Sequence, residues 1–240
     1  MSVPAVGTRP VAVVTGASQG LGLALAEALA REDWSLVIDA RRGDRLAAAA
    51  SRLAEETTVV ALPGDVADAA HRAALAGAAA DLGPVALVVN NASTLGTSPL
   101  PTLRDIDAGV LARIFDVNVV APIALLQTLE SSLAPGATIV NITSDAGVEA
   151  YEGWGGYGAS KAALEHASRV LAAERPDLRV LVVDPGDMRT EMHQDAFPGE
   201  DISDRPEAGA SVPGLMALIG GNQPSGRYQA RAVTVAVTAP

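Results

Sequence analysis

The sequence predicts one α/β domain, a doubly wound and mostly parallel sheet with helices on both faces. Three observations carry this. Short continuous apolar runs alternate with Ala- and Leu-rich stretches of helical periodicity along most of the chain, the pattern of strands buried on both faces and joined by crossover helices. Hydrophobic residues are 49% of the 240 and charged residues 19%, enough apolar surface for one sizeable core. No internal repeat or linker divides the chain, so a single domain over 1–240 is expected.

Charge and residue usage narrow the function. A net charge of −11 argues against nucleic acid or an anionic membrane surface as partner. The chain has no cysteine and three scattered histidines, so neither a thiolate nucleophile nor a metal site is expected. Met1 to Pro10 contains no apolar run preceded by positive charge, and no stretch of about 20 residues reads as apolar enough to span a bilayer. The expected location is cytoplasmic.

The elements follow in order. Val11 to Val14 is an apolar strand that runs into Thr15-Gly16-Ala17-Ser18-Gln19-Gly20-Leu21-Gly22. A helix with an apolar stripe at Leu21, Leu25, Ala28 and Leu29 follows. Strand, glycine turn and helix make a phosphate cradle, because small residues let the backbone approach a pyrophosphate and the helix N-terminus offers N–H groups to it. Leu36 to Ile38 is the second strand, ending at Asp39-Ala40-Arg41-Arg42. An acidic residue there accepts from a ribose 2′-hydroxyl, whereas an arginine pairs with a 2′-phosphate. The chain offers both Asp39 and Arg41, and register decides between them.

Asp44 to Glu56 reads as a helix, Val59 to Leu62 as a third strand closed by Gly64-Asp65-Val66, and Ala69 to Leu82 as a helix. Val85 to Val89 is a fourth strand that delivers Asn90-Asn91-Ala92-Ser93 to its carboxyl end, where asparagines brace loops and line crevices. A long helical region is expected from Leu103 to Leu133, with Asn118 inside it and a kink at Pro122. Ala137 to Ile142 is the fifth strand, delivering Thr143 and Ser144. Val180 to Val183 is the sixth, followed by Asp184-Pro185-Gly186-Asp187-Met188-Arg189-Thr190. From about 190 to 206 periodicity disappears, and a loop of this length is expected to be a lid over a binding site. A short helix near Val212 to Ile219 and a last strand near Ala232 to Val237 complete the reading.

Chemistry concentrates in Tyr157-Gly158-Ala159-Ser160-Lys161. Tyr157 and Lys161, four apart on a helix, share one face. Lys161 is the sole lysine beside 16 arginines, and its falling four after one of three tyrosines by chance has odds of roughly 1 in 80. An ammonium one turn from a phenol is expected to favour the phenolate and lower its pKa from about 10, making a usable general acid or base. Ser144 would hydrogen-bond a substrate oxygen. Asn118 is either a helix irregularity or a polar group holding water.

Assembled in this order, the motifs resemble those of the short-chain dehydrogenase/reductase family over nearly everything from Val11 to Thr190. Thr15 to Gly22 resembles its T-G-x-x-x-G-x-G loop, Asp65-Val66 its adenine-side pair, Asn90-Asn91-Ala92 its N-N-A segment, and Pro185-Gly186 with Thr190 its P-G-x-x-x-T segment. Asn118, Ser144, Tyr157 and Lys161 resemble its catalytic four. The resemblance implies a Rossmann-like domain and interconversion of a ketone or aldehyde with an alcohol. Tyr157 would protonate the carbonyl oxygen, and Lys161 would lower the phenol pKa and hydrogen-bond the nicotinamide ribose. Ser144 would polarise the carbonyl, and Asn118 would hold a relay water. Gly16, Ser18, Gln19, Gly20, Leu21, Gly22, Ala40, Arg41, Arg42, Asp65, Val66, Asn91, Ala92, Ser93, Tyr157, Lys161, Pro185, Gly186, Met188 and Thr190 would hold the cofactor. In the family's register Ala40 replaces the acidic residue of NAD users and Arg41 follows it, which implies NADP(H), with NAD(H) second. Asp145, Val148, Trp154, Asp187, Met188 and His193 are the candidate substrate lining. The resemblance also implies a homodimer or homotetramer paired through the helices at 103–133 and 157–174. The acidic lid is expected to disfavour strongly anionic substrates. A dinucleotide-sensing protein without turnover, or an epimerase or dehydratase on the same fold, are the alternatives.

Overall fold

The computed structural model describes residues 9–233. Seven strands form one parallel sheet: β1 (Val11–Val14), β2 (Ser35–Ala40), β3 (Val59–Pro63), β4 (Val85–Asn90), β5 (Leu133–Ile142), β6 (Arg179–Asp184) and β7 (Gly226–Gln229), in spatial order β3-β2-β1-β4-β5-β6-β7. The central strands carry apolar runs (Val11–Val14, Leu36–Ile38, Leu87–Val89, Val180–Val183) because alternate residues pack on opposite faces of the sheet. Ala12 and Val14 join Leu36 and Ile38 against Leu21, Leu25 and Leu29 of α1 (Gly20–Arg31) and Leu215 and Leu218 of α8 (Val212–Gly220). Val11, Val13 and Val37 join the opposite cluster with Leu75 and Ala79 of α3 (Ala69–Leu82) and Leu125 and Leu129 of α5 (Ala121–Leu129). Helix α2 (Gly43–Leu53) packs Leu46 and Leu53 on the first face. The strand order reverses between β1 and β4, and the crevice that opens there is where such sheets bind ligands.

Several boundaries differ from the sequence expectation. The helical region expected from Leu103 begins at Ala108, because the Asp107 carboxylate accepts from the Gly109 and Val110 N–H groups and caps it. It runs as α4 (Ala108–Phe115), a π-helical turn (Asp116–Val120) and α5, then a 3₁₀ turn to Ser132. The π turn takes up the irregularity ahead of Pro122, which lies in the first turn of α5, where a missing N–H is tolerated. Strand β5 starts at Leu133 rather than Ala137. The expectation that no stretch is apolar enough to span a bilayer is overturned: Ala108–Ser132 qualifies by length and composition. Part of that apolarity goes into the core, with Ile114, Ala121, Leu125, Leu126 and Leu129 buried, while Val120 and Ile123 stay exposed.

The expected lid contains a helix, α7 (Glu191–Ala196), whose Thr190 hydroxyl accepts from the His193 N–H at 3.2 Å. The last described strand is β7, upstream of the one expected at Ala232–Val237. Ala232 sits in a 3₁₀ turn, and 234–237 lie outside the described residues.

Candidate active site

The glycine turn is built by backbone and braced by three side chains. Gly16 has a φ of +68° and Gly20 of +57°, left-handed conformations that cost a side chain little only in glycine. A Cβ on Gly22 would meet the Gly16 carbonyl and lie 2.5 Å from Asn91 Nδ2. Asn91 Nδ2 donates to the carbonyls of Thr15 (2.9 Å) and Gly16 (3.1 Å), and Thr15 Oγ1 accepts from the Asn91 and Ala92 N–H groups, each at 3.0 Å. Among the described residues no side chain caps α1, and its first turn carries no acid. Its N-terminal N–H groups are therefore open to an anion. This cradle fits a dinucleotide pyrophosphate.

The competition between Asp39 and Arg41 is decided by burial. Asp39 is 2% exposed. One carboxylate oxygen accepts from the Gly16 N–H at 2.8 Å and the other meets His71 Nε2 at 3.1 Å, so both already have partners. Arg41 and Arg42 stand exposed at the mouth. Asp65 is held by the Ala67 N–H at 3.0 Å and by Arg113. Partial burial raises its pKa, but these two partners outweigh it and the net shift is downward.

One cleft of about 880 Å³ runs from this cradle to Tyr157. Every residue read as holding the cofactor lines it except Gly22, which lies beneath the turn. Tyr157 and Lys161 emerge together from α6 (Gly155–Glu174), with Lys161 Nζ 5.4 Å from the Tyr157 ring centroid. Lys161 donates to the Ile142 carbonyl at 2.9 Å, and burial pulls its ammonium down to about 8. The expected lowering of the Tyr157 pKa is overturned. Burial pushes the phenol above its ordinary range, and the Ser93 and Ser144 hydroxyls pull it back only in part. The phenol is 9% exposed and its walls are apolar, so desolvation of the phenolate dominates.

Ser144 lines the cleft, but its hydroxyl donates to Asp145 Oδ1 at 2.9 Å. Asn118, in the π turn, is completely buried and its amide is saturated. Its oxygen accepts from Ser93 Oγ (3.1 Å) and the Thr94 N–H (2.9 Å), and its nitrogen donates to the Thr94 carbonyl (3.0 Å) and Ser160 Oγ (2.9 Å). The side chain therefore does not hold water.

Asp145, Trp154, Asp187, Met188 and His193 line the cleft as expected, whereas Val148 is 62% exposed and does not line it. Sequence reasoning missed Tyr151, Met192 and Phe197, which also line the cleft, Phe197 within an aromatic wall. Trp154 lies edge-on to Tyr157 (5.8 Å) and against Phe197 (5.7 Å), which meets His193 at 4.9 Å. His193 Nε2 is buried with no partner among the described residues. It also missed Glu165, Asp184 and Arg227, which underpin the loops carrying Ser144 and Gly186. Arg227 donates to Glu165 (3.0 Å) and Asp184 (3.2 Å), and Asp184 accepts from the Gly186 N–H at 2.9 Å. The buried asparagine of the N-N-A segment, Asn90, instead forms a cross-strand bond to Asn141 at 2.7 Å.

The model of the short chain dehydrogenase family matches residues 10–201. Sepiapterin reductase from Bos taurus is 33% identical over 201 residues, covering 78% of this chain and 75% of the relative. Two similar solved structures are an Escherichia coli CFT073 short chain dehydrogenase complexed with NADPH (28% identity, TM-score 0.84, 93% of this chain and 97% of that one) and a Thermococcus sibiricus alcohol dehydrogenase complexed with 5-hydroxy-NADP (26%, 0.83, 97% and 99%). With the parallel sheet, the glycine cradle at its switch point and the Tyr157–Lys161 pair in one cleft, the chain belongs to the short-chain dehydrogenase/reductase family of NAD(P)-dependent oxidoreductases.

Proposed function

We propose that the protein is an NADP(H)-dependent carbonyl reductase, interconverting a ketone or aldehyde with an alcohol. The observation that carries this reading is the continuity of one cleft from the open helix N-terminus beside Arg41 to the buried Tyr157 hydroxyl. The satisfied Asp39 and the exposed arginines support the phosphorylated dinucleotide, as do the relatives solved with NADPH and 5-hydroxy-NADP. Bound reduced nicotinamide supplies a hydride; the chain supplies the proton and its path. Burial keeps the Tyr157 phenol protonated, which makes it the acid in the reducing direction. Lys161 is cationic below about pH 8 and stabilises the phenolate that forms when the proton leaves. The Ser144 hydroxyl polarises the carbonyl once it turns from Asp145, and Asn118 fixes the Ser93–Thr94 loop that borders the phenol.

The substrate end is aromatic and acidic. Trp154 and Phe197 form its wall, and Asp145, Asp187 and Asp195 line it. This supports an uncharged or cationic carbonyl compound carrying a ring, with carboxylates, phosphates and acyl thioesters disfavoured by like charge. Exposed Val120 and Ile123 on the α4–α5 run and Val170 on α6 support pairing of two copies through these helices. Titration by nicotinamide fluorescence tests the cofactor, with tighter binding of NADPH than NADH expected. Turnover is tested by NADPH consumption with aryl ketones. Tyr157→Phe is expected to lower kcat by about 1,000-fold or more while NADPH affinity changes little. Activity that survives this substitution rejects the assignment of the acid.

A further inference from the structure

The lid reaches back to the phosphate end of the cleft through one side chain. Glu191, the first residue of α7, places one carboxylate oxygen 2.6 Å from Arg45 Nη1. Its other oxygen accepts from Gln19 Nε2 at 3.0 Å and lies 3.8 Å from Arg42 Nη1. Arg45 also donates to the Gln19 amide oxygen. A single carboxylate thus joins the glycine turn after β1, the basic segment after β2 and the start of the lid, with Gln19 and Glu191 172 positions apart. Gln19, Gly20, Thr190 and Glu191 line both the main cleft and a smaller cavity behind it, so this contact is the partition between them.

Two arginines facing one carboxylate form a site for a forked anion, and a phosphate monoester presents the same fork with more charge. We propose that Glu191 is a specificity-determining residue for the cofactor: its carboxylate fills the Arg42–Arg45 anion subsite and sets how strongly a 2′-phosphate is preferred over a 2′-hydroxyl. This rests on the NADP(H) reading above. The partners are one third to just over one half exposed: Glu191 54%, Arg42 57% and Arg45 32%. Such pairs are weakly held and screened, as a displaceable occupant has to be. The arginines and Gln19 also hold the Glu191 carboxyl below its ordinary pKa, so it stays anionic at neutral pH. A 2′-phosphate must displace or share with that carboxylate, whereas a ribose hydroxyl carries no charge to compete. Displacement also releases the first turn of α7, the helix that carries Met192 and His193 into the substrate end, so nucleotide phosphate and lid position are coupled.

The test is equilibrium titration of NADPH, NADH and 2′,5′-ADP against wild type, Glu191→Gln, Arg45→Gln and the double variant, with thermal melts to confirm folding. Glu191→Gln is expected to tighten NADPH and 2′,5′-ADP by about tenfold and NADH by less than about twofold, since only like-charge repulsion is removed. The gain should disappear in the Arg45→Gln background and shrink in 0.5 M salt, about a Debye length of 4 Å. An unchanged ratio of NADPH to NADH affinity in Glu191→Gln, or a weakened NADPH, overturns the proposal while leaving the cofactor reading intact. Binding of neither nucleotide to wild type overturns both.

Discussion

The two ends of the cleft are built by different means. At the phosphate end, strand ends and a helix N-terminus meet, and the geometry is set by backbone: two left-handed glycines, a third with no room for a Cβ, and short bonds from Thr15, Asn91 and Asp39. At the substrate end, Leu95, Trp154, Met192 and Phe197 come from three separate loops and a six-residue helix. Trp154 and Phe197 are held by ring contacts near 5–6 Å, and a buried His193 nitrogen has no partner among the described residues. A binding surface made of backbone tolerates little substitution, whereas one made of side chains on loops can be rebuilt without disturbing the sheet.

Gly22→Ala tests the rigid end and carries the largest expected effect in this comparison. The added carbon has to displace the Gly16 carbonyl or the Asn91 amide, and both set the turn. Overpacking of this kind costs about 1–3 kcal/mol of stability. A misplaced cradle is expected to weaken NADPH by about 100-fold. Melting temperature and fluorescence titration read the two effects. Retention of wild-type affinity would show the cradle to be as plastic as the other end.

Phe197→Ala tests the adaptable end. It removes a ring that touches Trp154 and His193 but leaves the sheet untouched. The expected result is a rise of about tenfold in KM for an aryl ketone, the worth of one aromatic contact, with NADPH affinity and melting temperature nearly unchanged. A loss of NADPH affinity equal to that of Gly22→Ala would dissolve the distinction between the ends.

The same difference governs what the sequence makes legible. Motifs fixed by backbone, such as Thr15 to Gly22 or Tyr157 to Lys161, carry their geometry in local spacing, so the sheet, its cradle and the reacting pair are readable from residues alone. Groups whose state depends on tertiary surroundings are not. Nothing near Asp39 in sequence shows that Gly16 and His71 claim both its oxygens. Spacing placed Lys161 beside Tyr157 correctly but gave the wrong sign for the phenol, because desolvation by Leu95, Ala146 and Trp154 is a property of the assembled fold. The helix α7 did leave a signal, a threonine followed by an acid in the first turn. Proline and glycine within eight residues hid it, and with it the reach of Glu191 to Arg45.

Lys161 stands where the two ends meet, and its titration is the finest probe of the boundary. Burial lowers its pKa from an ordinary 10.5 to about 8, while the same burial keeps Tyr157 protonated. As pH rises through about 8 the ammonium is lost and the acid is unchanged, so kcat/KM for reduction is expected to fall by several-fold above that pH. Stability moves the other way. Between about pH 8 and 10.5 the unfolded lysine still binds its proton and the folded one does not, so the unfolded state holds more protons and stability rises with pH. Lys161→Met should remove both trends, leaving a low, flat rate profile and no rise in melting temperature across that window. A rate that falls together with melting temperature in the wild type would instead mark alkaline unfolding, and the lysine would not be the group that links cofactor end to substrate end.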